Sequence, residues 1–460
     1  MQVNITTAIQ GDPVNPSIGL PIVSLFSGAL GLDLGLEQAG FQVRVAVECN
    51  KFAAATIRRN RPDTPVIERK IEEVTTEEIL EVAGLKPGEP MIVSAGPSCQ
   101  AFSTAGKRGS LGDPRGTLFR QFLRVVHEAR PRFFVMENVR GVFSAAIRHR
   151  PLRERGPGYP PLAPDEELGS AFILILRELQ AIGYYTVFNL LNTADFGVPQ
   201  ARERVLFIGS RDGEMINMPE STHSKMPMNG KSSWVTLRQA FEGMEDSNHT
   251  YTDLPSTTSR YLSLIPEGGN WRDLPSDLQA EALGAAYISW GGRSGFFRRL
   301  SWERPAPSIT TNPGGKATMM CHPTELRPLS VQECARLQQF PDTWQFDGET
   351  SQQYIQIGNA VPVGLGSAIG RVIVETIKQP QYGAPLGKVV CTNNVLLDHM
   401  VKRPRTMLNP VRMRKVKDQE SLRQWHNGRD HYRTEILDYV TRSVEEQEIE
   451  AIQLEGDWVQ

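Results

Sequence analysis

The chain contains little of several features that would place it in a specialised class of protein. Only five of its 460 residues are cysteine, and they are scattered, with no C-x-x-C pair and no spacing typical of zinc ligands. A disulfide framework is therefore not indicated, and we expect no metal site. The formal net charge of −2 gives no overall attraction to a polyanion, so the binding of one must depend on locally concentrated charge.

Long apolar runs are also missing. No stretch approaches the roughly 18 consecutive apolar residues of a membrane span, and the N-terminus lacks the basic and apolar segments of a secretory signal. With 40% hydrophobic and 22% charged residues, the composition is that of an ordinary globular protein. We therefore expect a soluble, cytoplasmic protein that does not bind a membrane.

Residues 1–212 alternate between short apolar segments and amphipathic ones. This is the pattern of an α/β protein with a doubly wound sheet of parallel strands. Ile22–Phe26 and Val43–Val47 predict the first two strands, each followed by a helix. Met91–Ser94 and Phe133–Met136 predict two later strands, and the apolar residues between these recur with a period of 3.6, which predicts a connecting helix.

The alternation ends near residue 213. From 213 to 325 the chain is rich in Ser, Thr, Pro and Gly, interleaved with Trp and Arg, so we predict a second domain that is smaller and irregular. A capping box beginning at Ser330 and an apolar helix at Val363–Ile377 predict that 326–380 return to the first domain. Residues 381–460 form a polar extension whose role the sequence does not indicate.

A glycine-containing loop, Phe26–Asp33, lies where the first predicted strand turns into the first helix. Gly28 and Gly31 would let a ligand approach the backbone and the N-terminus of that helix. Glu48 ends the second strand, where an acidic residue commonly binds ribose hydroxyl groups. An adenosine cofactor is therefore favoured over a nicotinamide dinucleotide, because the glycine spacing departs from G-x-G-x-x-G; a tight turn without a ligand is the alternative.

Cys99 and Glu137 follow two neighbouring predicted strands, so both would emerge at the edge where open α/β sheets bind ligands. A lone cysteine is usually a small buried hydrophobe, but the Gly96-Pro97 turn and the polar, basic residues that follow favour a nucleophile. No histidine lies nearby in the sequence, so a Cys/His pair is not supported. A thiolate and a carboxylic acid suit addition to C6 of cytosine with protonation at N3, which activates C5 for methylation.

Several motifs, in this order, resemble those of the DNA (cytosine-5)-methyltransferases over residues 21 to 378. The matching segments are Phe26-Ser27-Gly28, Glu48, Pro97-Ser98-Cys99-Gln100, Glu137-Asn138-Val139, the Q-x-R-x-R block within Asp195–Arg204, and Gln356–Pro362. The resemblance implies a Rossmann-like methyltransferase sheet with a target-recognition domain at 213–325. It also implies sequence-specific methyl transfer from S-adenosylmethionine to C5 of a flipped-out cytosine in double-stranded DNA.

The same resemblance implies roles for the predicted catalytic residues. Cys99 would add to C6, Glu137 would serve N3 and the exocyclic amine, and Arg204 would contact cytosine O2 and brace Glu137. Arg202 belongs to the same predicted group, although it is better suited, with Gln200, to supporting the architecture. Surface solvation is the alternative for both arginines.

The predicted cofactor-binding residues come from four parts of the chain. By the resemblance, Phe26 would stack on the adenine of S-adenosylmethionine, Glu48 would hold the ribose, and Asn359 would close the site. The full predicted set is Phe26, Gly28, Gly31, Glu48, Ile71 and Asn359.

Three positions depart from the family pattern. Leu30 stands where the family usually has glycine, which narrows the turn. Ser98 replaces the second proline of Pro-Pro-Cys and loosens the backbone before Cys99. Lys70 occupies the place of an aspartate that meets the adenine amine, so another acceptor must serve there.

The predicted DNA-binding residues are Gln100, Ser103, Arg293, Arg298 and Thr310. Ser103 would hold a phosphate near the flipped base, and the two arginines could pair with guanine edges or phosphates. An aromatic mini-core with solvated arginines is the alternative for Arg293 and Arg298. The basic residues of 148–155 and 402–417 are secondary candidates for phosphate contacts.

Two other functions are open at this point. RNA cytosine methylation could use the same chemistry, although the variable segment at 213–325 favours the reading of a duplex. A DNA-binding protein without activity is the third possibility, and the presence of Cys99, Glu137 and Arg204 counts against it. We expect a monomer that acts alongside a cognate restriction endonuclease.

Overall fold

The apolar segments of the chain form strands and the amphipathic ones form helices. This is seen in a computed structural model that describes residues 19–97, 118–151, 154–155, 158–227, 230–244, 248–287 and 294–392. The described residues fall into two units. The first unit contains those of 1–70, 192–203 and 219–374, and the second contains those of 71–191, 204–218 and 375–392.

The strands are β1 (Leu20–Leu25), β2 (Phe41–Val47), β3 (Val66–Ile67), β4 (Ile92–Ala95), β5 (Phe133–Val139), β6 (Tyr185–Asn192), β7 (Gln200–Ala201), β8 (Glu203–Ser210), β9 (His223–Ser224), β10 (Ser232–Ser233), β11 (Ala306–Pro307) and β12 (Val389–Cys391). The helices are α1 (Gly31–Gln38), α2 (Lys51–Asn60), α3 (Thr76–Ala83), α4 (Leu118–Ala129), α5 (Ser170–Ala181), α6 (Leu237–Phe241), α7 (Ser256–Leu262), α8 (Ser276–Leu283), α9 (Val331–Leu337), α10 (Thr350–Asn359) and α11 (Val363–Lys378).

In the first unit, β1 pairs in parallel with β2, and β2 with β3. Ile22, Val23 and Leu25 of β1 are buried, so the strand has an apolar side chain on both of its faces, as expected of a parallel strand covered by helices. Helix α2 begins at a strong N-cap, because the side chain of Asn50 accepts hydrogen bonds from the backbone N–H groups of Phe52 and Ala53. Because β1 and β2 are parallel, the β1–α1 loop and the end of β2 lie at the same edge of these strands.

In the second unit the strand order is β12-β6-β8-β5-β4. Strands β4 and β5 are parallel, which confirms that the segments leading to Cys99 and Glu137 are neighbouring parallel strands. Strand β8 instead runs antiparallel to β5, a reversal that the simple alternation of strand and helix did not predict. The register sets Val139 opposite Arg204 and Glu137 opposite Leu206.

The predicted target-recognition region contains a small apolar core of its own within the first unit. The residues of this core are Tyr261, Leu262, Ile265, Trp271, Leu274, Ala282, Leu283, Phe297, Met319 and Cys321. The buried guanidinium of Arg299 donates to the backbone carbonyls of Leu262 and Ile265 and also to that of His322. Arg299 therefore links its own stretch of backbone to two others by side-chain hydrogen bonds, as expected in a region with little regular secondary structure.

Other predicted elements have a clear outcome. The capping box is confirmed, because Ser330 and Glu333 exchange side-chain and backbone hydrogen bonds at the start of α9. The described residues of the insertion near 148–164 have little regular structure, and ion pairs of Arg148 with Asp165 and of Arg150 with Glu166 anchor this part of the chain. Arg148 and Arg150, two of the arginines proposed there for phosphate contacts, thus already have carboxylate partners. The predicted domain boundaries at 212, 325 and 380 stay a prediction.

One stretch of the described chain, Thr350–Lys378, is long and apolar enough to pass for a membrane span by length and composition alone. It comprises α10 and α11, and 72% of its most apolar window is buried inside the protein. Burial of this kind is typical of a core helix, and α11 packs against α1 at a distance that only glycine permits. A Cβ atom on Gly366 would lie 2.3 Å from the carbonyl oxygen of Leu32.

This packing predicts that Gly→Ala, a substitution that normally stabilises a helix, destabilises the protein at Gly366. Gly→Ala inside a helix normally stabilises by about 0.5–1 kcal/mol, but Gly366→Ala should destabilise by about 1–3 kcal/mol because the added methyl group meets backbone. Gly364→Ala is the matched control, since its nearest obstacle is the movable side-chain end of Gln339. Thermal unfolding of the three proteins measures the difference, and a Gly366→Ala protein as stable as the parent would contradict the packing.

Candidate functional site

The loop between β1 and α1 is held in an unusual backbone conformation. Phe26, Gly28 and Leu30 have positive φ angles of 53°, 54° and 65°, a region that costs a non-glycine residue about 1–2 kcal/mol. Such strain accumulates where a backbone must present its N–H groups to a ligand. Leu30 therefore has a backbone conformation that favours glycine, the residue usual at this position in the family that the sequence resembles. The burial of its side chain, with 1% of its surface exposed, offsets the strain.

Buried polar side chains hold this loop in place by hydrogen bonds. The hydroxyl of Ser24 donates to the carboxylate of Asp33 over 2.8 Å, and the hydroxyl of Ser27 donates to the carbonyl of Ser24 over 3.1 Å. All three side chains are buried, where an unmade hydrogen bond is costly. The network ties the end of β1 to the first turn of α1.

Glu48 lies against the loop at the end of β2. Its carboxylate accepts hydrogen bonds from the backbone N–H of Gly28 at 2.8 Å and from that of Asn50 at 2.7 Å. Burial raises the pKa of the Glu48 carboxyl above its ordinary value, and these hydrogen bonds oppose that shift. A Cβ atom placed on Gly28 would have no neighbour within 4 Å, so the space above the loop is open beside an acceptor.

Asn359 ends α10 with an exposed side chain, and its neighbours are buried. Gly31 serves the packing of the segment that follows it, because a Cβ atom on Gly31 would lie 2.3 Å from the carbonyl oxygen of Val361. The first unit thus contains five of the six predicted cofactor residues: Phe26, Gly28, Gly31, Glu48 and Asn359.

Ile71, the sixth, belongs to the second unit. It is buried, and its carbonyl accepts a hydrogen bond from Arg124. Lys70, which stands in place of the family aspartate, is exposed.

The second unit holds the predicted acid and its brace. Glu137 and Arg204 are diagonal neighbours on one face of the β5–β8 pair, because Arg204 lies opposite Val139, two residues along the strand from Glu137. The Nε atom of Arg204 is 2.5 Å from Oε1 of Glu137, and 11% of each side chain is exposed. The sequence-based expectation that these two residues meet is confirmed.

The turn before the predicted nucleophile lies beside the same carboxylate. A Cβ atom on Gly96 would be 3.6 Å from Oε2 of Glu137, in ordinary van der Waals contact with the carboxylate. Cys99, Gln100 and Ser103 themselves lie outside the described residues. The chain therefore approaches Glu137 three residues before the predicted thiol.

Gln200 and Arg202 are buried in the first unit, with 0% and 3% of their surfaces exposed. The guanidinium of Arg202 donates to the carbonyls of Ile309 and Gly358 at 3.1 and 2.9 Å. Gln200 accepts from the backbone N–H of Ile309 at 2.8 Å. Surface solvation is wrong for Arg202, and also for Arg204, of which 9% is exposed.

Two of the predicted DNA-binding residues are described. Arg298 is partly buried and donates to the carbonyl of Met319 over 3.2 Å, and the hydroxyl of Thr310 is 3.4 Å from the carbonyl of Thr318. Both lie in the first unit. Arg293, like the residues of 402–417, lies outside the described part of the chain.

Sequence reasoning missed Gln338, which directly follows α9 and is fully buried. Its side chain accepts from Gln200 at 3.0 Å and donates to the carbonyl of Ile357 at 2.6 Å. Helical spacing gives one signal that could have found it, since Gln338 is four residues after the buried Cys334 and so lies on the same face. Asn50 was also missed, although Asn directly before a helix is a strong N-cap signal.

Comparison with known proteins matches residues 20–375 of the chain to the family model described as C-5 cytosine-specific DNA methylase. Type II methyltransferase M.PspPI of Psychrobacter sp. is 35% identical over 79% of this chain and 81% of its own length. Type II methyltransferase M.Sau96I of Staphylococcus aureus is 36% identical over 78% of this chain and 76% of its own length.

Among solved structures, the chain resembles a DNA modification methyltransferase encoded within a prophage of Escherichia coli. The two superpose with a TM-score of 0.53 at 23% sequence identity, over 78% of this chain and 100% of the other. That degree of likeness supports the Rossmann-like methyltransferase fold and no more.

The strain at Leu30 predicts that a glycine substitution there leaves the protein more stable than an alanine substitution, the reverse of the usual order within a helix. Leu30→Ala and Leu30→Gly should both destabilise, by about 2–5 kcal/mol, because a buried side chain is removed. At the positive φ of Leu30, however, the glycine variant should be the more stable by about 1 kcal/mol. Thermal unfolding measures this order.

Leu32, which is buried in the regular part of α1, provides the control. There Leu32→Ala should be more stable than Leu32→Gly by about 0.5–1 kcal/mol. The same order of stability at both positions would show that Leu30 is not strained.

Proposed function

Because this chain belongs to the C-5 cytosine-specific DNA methylases and transfers a methyl group to C5 of cytosine in DNA, we propose that S-adenosylmethionine is the donor and that Cys99, Glu137 and Arg204 carry out the reaction. The observation that supports this assignment best is the ion pair of Glu137 and Arg204, nearly enclosed beside the turn that leads to Cys99. A cytosine would there meet an acid, a cation and a thiol.

The residues of the first unit suit S-adenosylmethionine. Glu48 offers a carboxylate to the ribose hydroxyls, Phe26 offers an aromatic ring for the adenine, and Gly28 leaves open space above the loop. Asn359 offers an exposed amide. When bound, S-adenosylmethionine supplies the electrophilic methyl group that C5 takes up.

The protein's own side chains activate the base. The thiolate of Cys99 forms a bond to C6 of the flipped cytosine. Glu137 takes up a proton from water as the base enters beside it and passes that proton from its carboxyl to N3, so that C5 gains the electron density of an enamine. Arg204 holds Glu137 in place and donates to O2, which stabilises the negative charge that develops on the ring. After C5 is methylated, a water or hydroxide from solvent removes the C5 proton, the C6–S bond breaks so that Cys99 leaves as a thiolate, and N3 returns its proton to the carboxylate of Glu137.

Arg202 and Gln200 support this chemistry indirectly. Their side chains bind backbone of the first unit. These bonds fix the backbone of the Q-x-R-x-R block directly before Arg204. The catalytic role of Arg202 is accordingly one of architecture.

We further propose the biological setting suggested by the relatives. Two relatives carry the description Type II methyltransferase, and we assign this chain to sequence-specific protection of double-stranded DNA alongside a cognate restriction endonuclease. It acts in the cytoplasm as a monomer. Arg293, Arg298 and Thr310 belong to its reading of the target, while Gln100 and Ser103 hold the DNA backbone beside the flipped base.

The covalent role of Cys99 predicts a trapped complex. On duplex DNA that carries 5-fluorocytosine at the target, the enzyme should form a denaturation-resistant adduct with S-adenosylmethionine present, because fluorine at C5 cannot leave as a proton. Cys99→Ser should form no adduct and lose methyl transfer by more than about 10³-fold, yet still bind S-adenosylmethionine. Substantial turnover by Cys99→Ser would refute the mechanism, and equal methylation of tRNA would refute the choice of substrate.

The raised pKa of Glu48 predicts a pH dependence of cofactor binding. The ionised carboxylate is the better acceptor for ribose hydroxyls, so affinity should fall as pH drops, and the fall should begin at a higher pH than the titration of an ordinary glutamate. Glu48→Gln should bind about tenfold more weakly near pH 7 and show a flatter profile. Calorimetric titration with S-adenosylmethionine measures both, and an unchanged pH profile in Glu48→Gln would exclude Glu48 as the titrating group.

A further inference from the structure

The segment around Asn359 is fixed by side chains that bind its backbone. Arg202 donates to the carbonyl of Gly358 over 2.9 Å. Gln338 donates to the carbonyls of Ile357 and Ala360 over 2.6 and 3.2 Å. Three carbonyl oxygens that flank the exposed Asn359 are thus each bound by a buried donor.

Gln338 makes two of these three contacts and is itself oriented. Its side-chain oxygen accepts from the amide of Gln200 over 3.0 Å, so the amide nitrogen must face the two carbonyls. Gln200 is oriented in turn, because its own oxygen accepts from the backbone N–H of Ile309 over 2.8 Å. Both glutamines are fully buried, with 0% of their surfaces exposed, and an amide that is buried in this way is held firmly.

The position of these carbonyls matters because of where the helix ends. Helix α10 ends at Asn359, and Ala360 already has an extended backbone, with φ −61° and ψ 147°. Carbonyls at a helix C-terminus lack partners within the helix. Gln338 donates to the carbonyls of Ile357 and Ala360, on both sides of Asn359, and the carbonyl of Ile357 also accepts from the backbone N–H of Ala360 over 3.3 Å. The backbone that carries the Asn359 side chain is thus bound by Gln338 on both sides.

We infer that Gln338 is a positioning residue for the cofactor: its side chain holds the end of α10 so that Asn359 faces the ligand. The inference rests on the proposed binding of S-adenosylmethionine at the loop between β1 and α1. It assigns to Gln338 an effect on cofactor affinity, carried by the backbone of 357–360. The affinity for DNA and the chemical step do not depend on it.

The test compares two glutamines that make similar contacts. Gln338→Met removes the donor to two carbonyls near Asn359. Gln353→Met is the matched control, because Gln353 also donates to two carbonyls, those of Phe346 and Gly348, from the same helix that carries Asn359. A general loosening of the fold would affect both variants, whereas positioning of Asn359 would affect only the first.

Calorimetric titration of the full chain with S-adenosylmethionine, without DNA, gives the first readout. We expect Gln338→Met to raise the Kd by about five- to tenfold and Gln353→Met by less than about twofold. Gln338→Glu keeps the acceptor for Gln200 but loses the donor, so it should bind at least as weakly as Gln338→Met. If Gln338→Met is too unstable to purify, Gln200→Leu, which removes the donor that orients Gln338 together with the acceptor for the Ile309 N–H, should also raise the Kd for S-adenosylmethionine.

Steady-state methylation of genomic DNA from a methylation-deficient strain gives the second readout. Gln338→Met should raise KM for S-adenosylmethionine, with kcat at saturating cofactor and KM for DNA within about twofold of the parent. Equal Kd values for the parent and the Gln338 variants, or a fall in kcat with KM unchanged, would overturn the inference. Failure of the parent itself to bind S-adenosylmethionine would refute the proposed function and the inference with it.

Discussion

The structure depends on the burial of three polar side chains from one short extended segment. Alternate residues of such a segment face the same side, and Gln200, Arg202 and Arg204 are all nearly inaccessible to water. A buried polar group without partners is costly, so each must bind something. Gln200 and Arg202 bind backbone in the first unit, and Arg204 pairs with Glu137 in the second. Alternate residues of one segment therefore bind both the backbone of the first unit and the proposed catalytic acid Glu137.

The loop between β1 and α1, where we propose that the cofactor binds, combines backbone strain with contacts that offset it. Its positive φ angles at Phe26 and Leu30 cost free energy, and the hydrogen bonds of Ser24 with Asp33, together with the burial of Leu30, offset it. These contacts lie within the protein and therefore hold the loop in this conformation without a ligand. Less ordering is then required on binding, which favours affinity.

Much of this arrangement could be predicted from the sequence, because its signals are local. Apolar runs located β1, β4 and β5 within a few residues. The pairing of Glu137 with Arg204 was expected only from the resemblance to the family, because these residues are far apart in the sequence. The antiparallel direction of β8 had no local signal, since direction is decided by the connection and not by the strand. Burial of Arg202 was equally hidden: its carbonyl partner in Gly358 is 156 residues away along the chain, and Gln338 is 138 residues from Gln200.

The scaffold around Asn359 has a consequence for how the protein can evolve. Arg202 and Gln338 bind carbonyl oxygens, which every residue type possesses, so Ile357 and Ala360 can be exchanged for other residues of suitable size without loss of these bonds. Gly358 is the exception, because a Cβ atom there would lie 2.7 Å from the backbone of Thr310. Mutational freedom should therefore be unequal within four residues: broad at the positions that contribute only a carbonyl, and narrow at Gly358 and at the two donors.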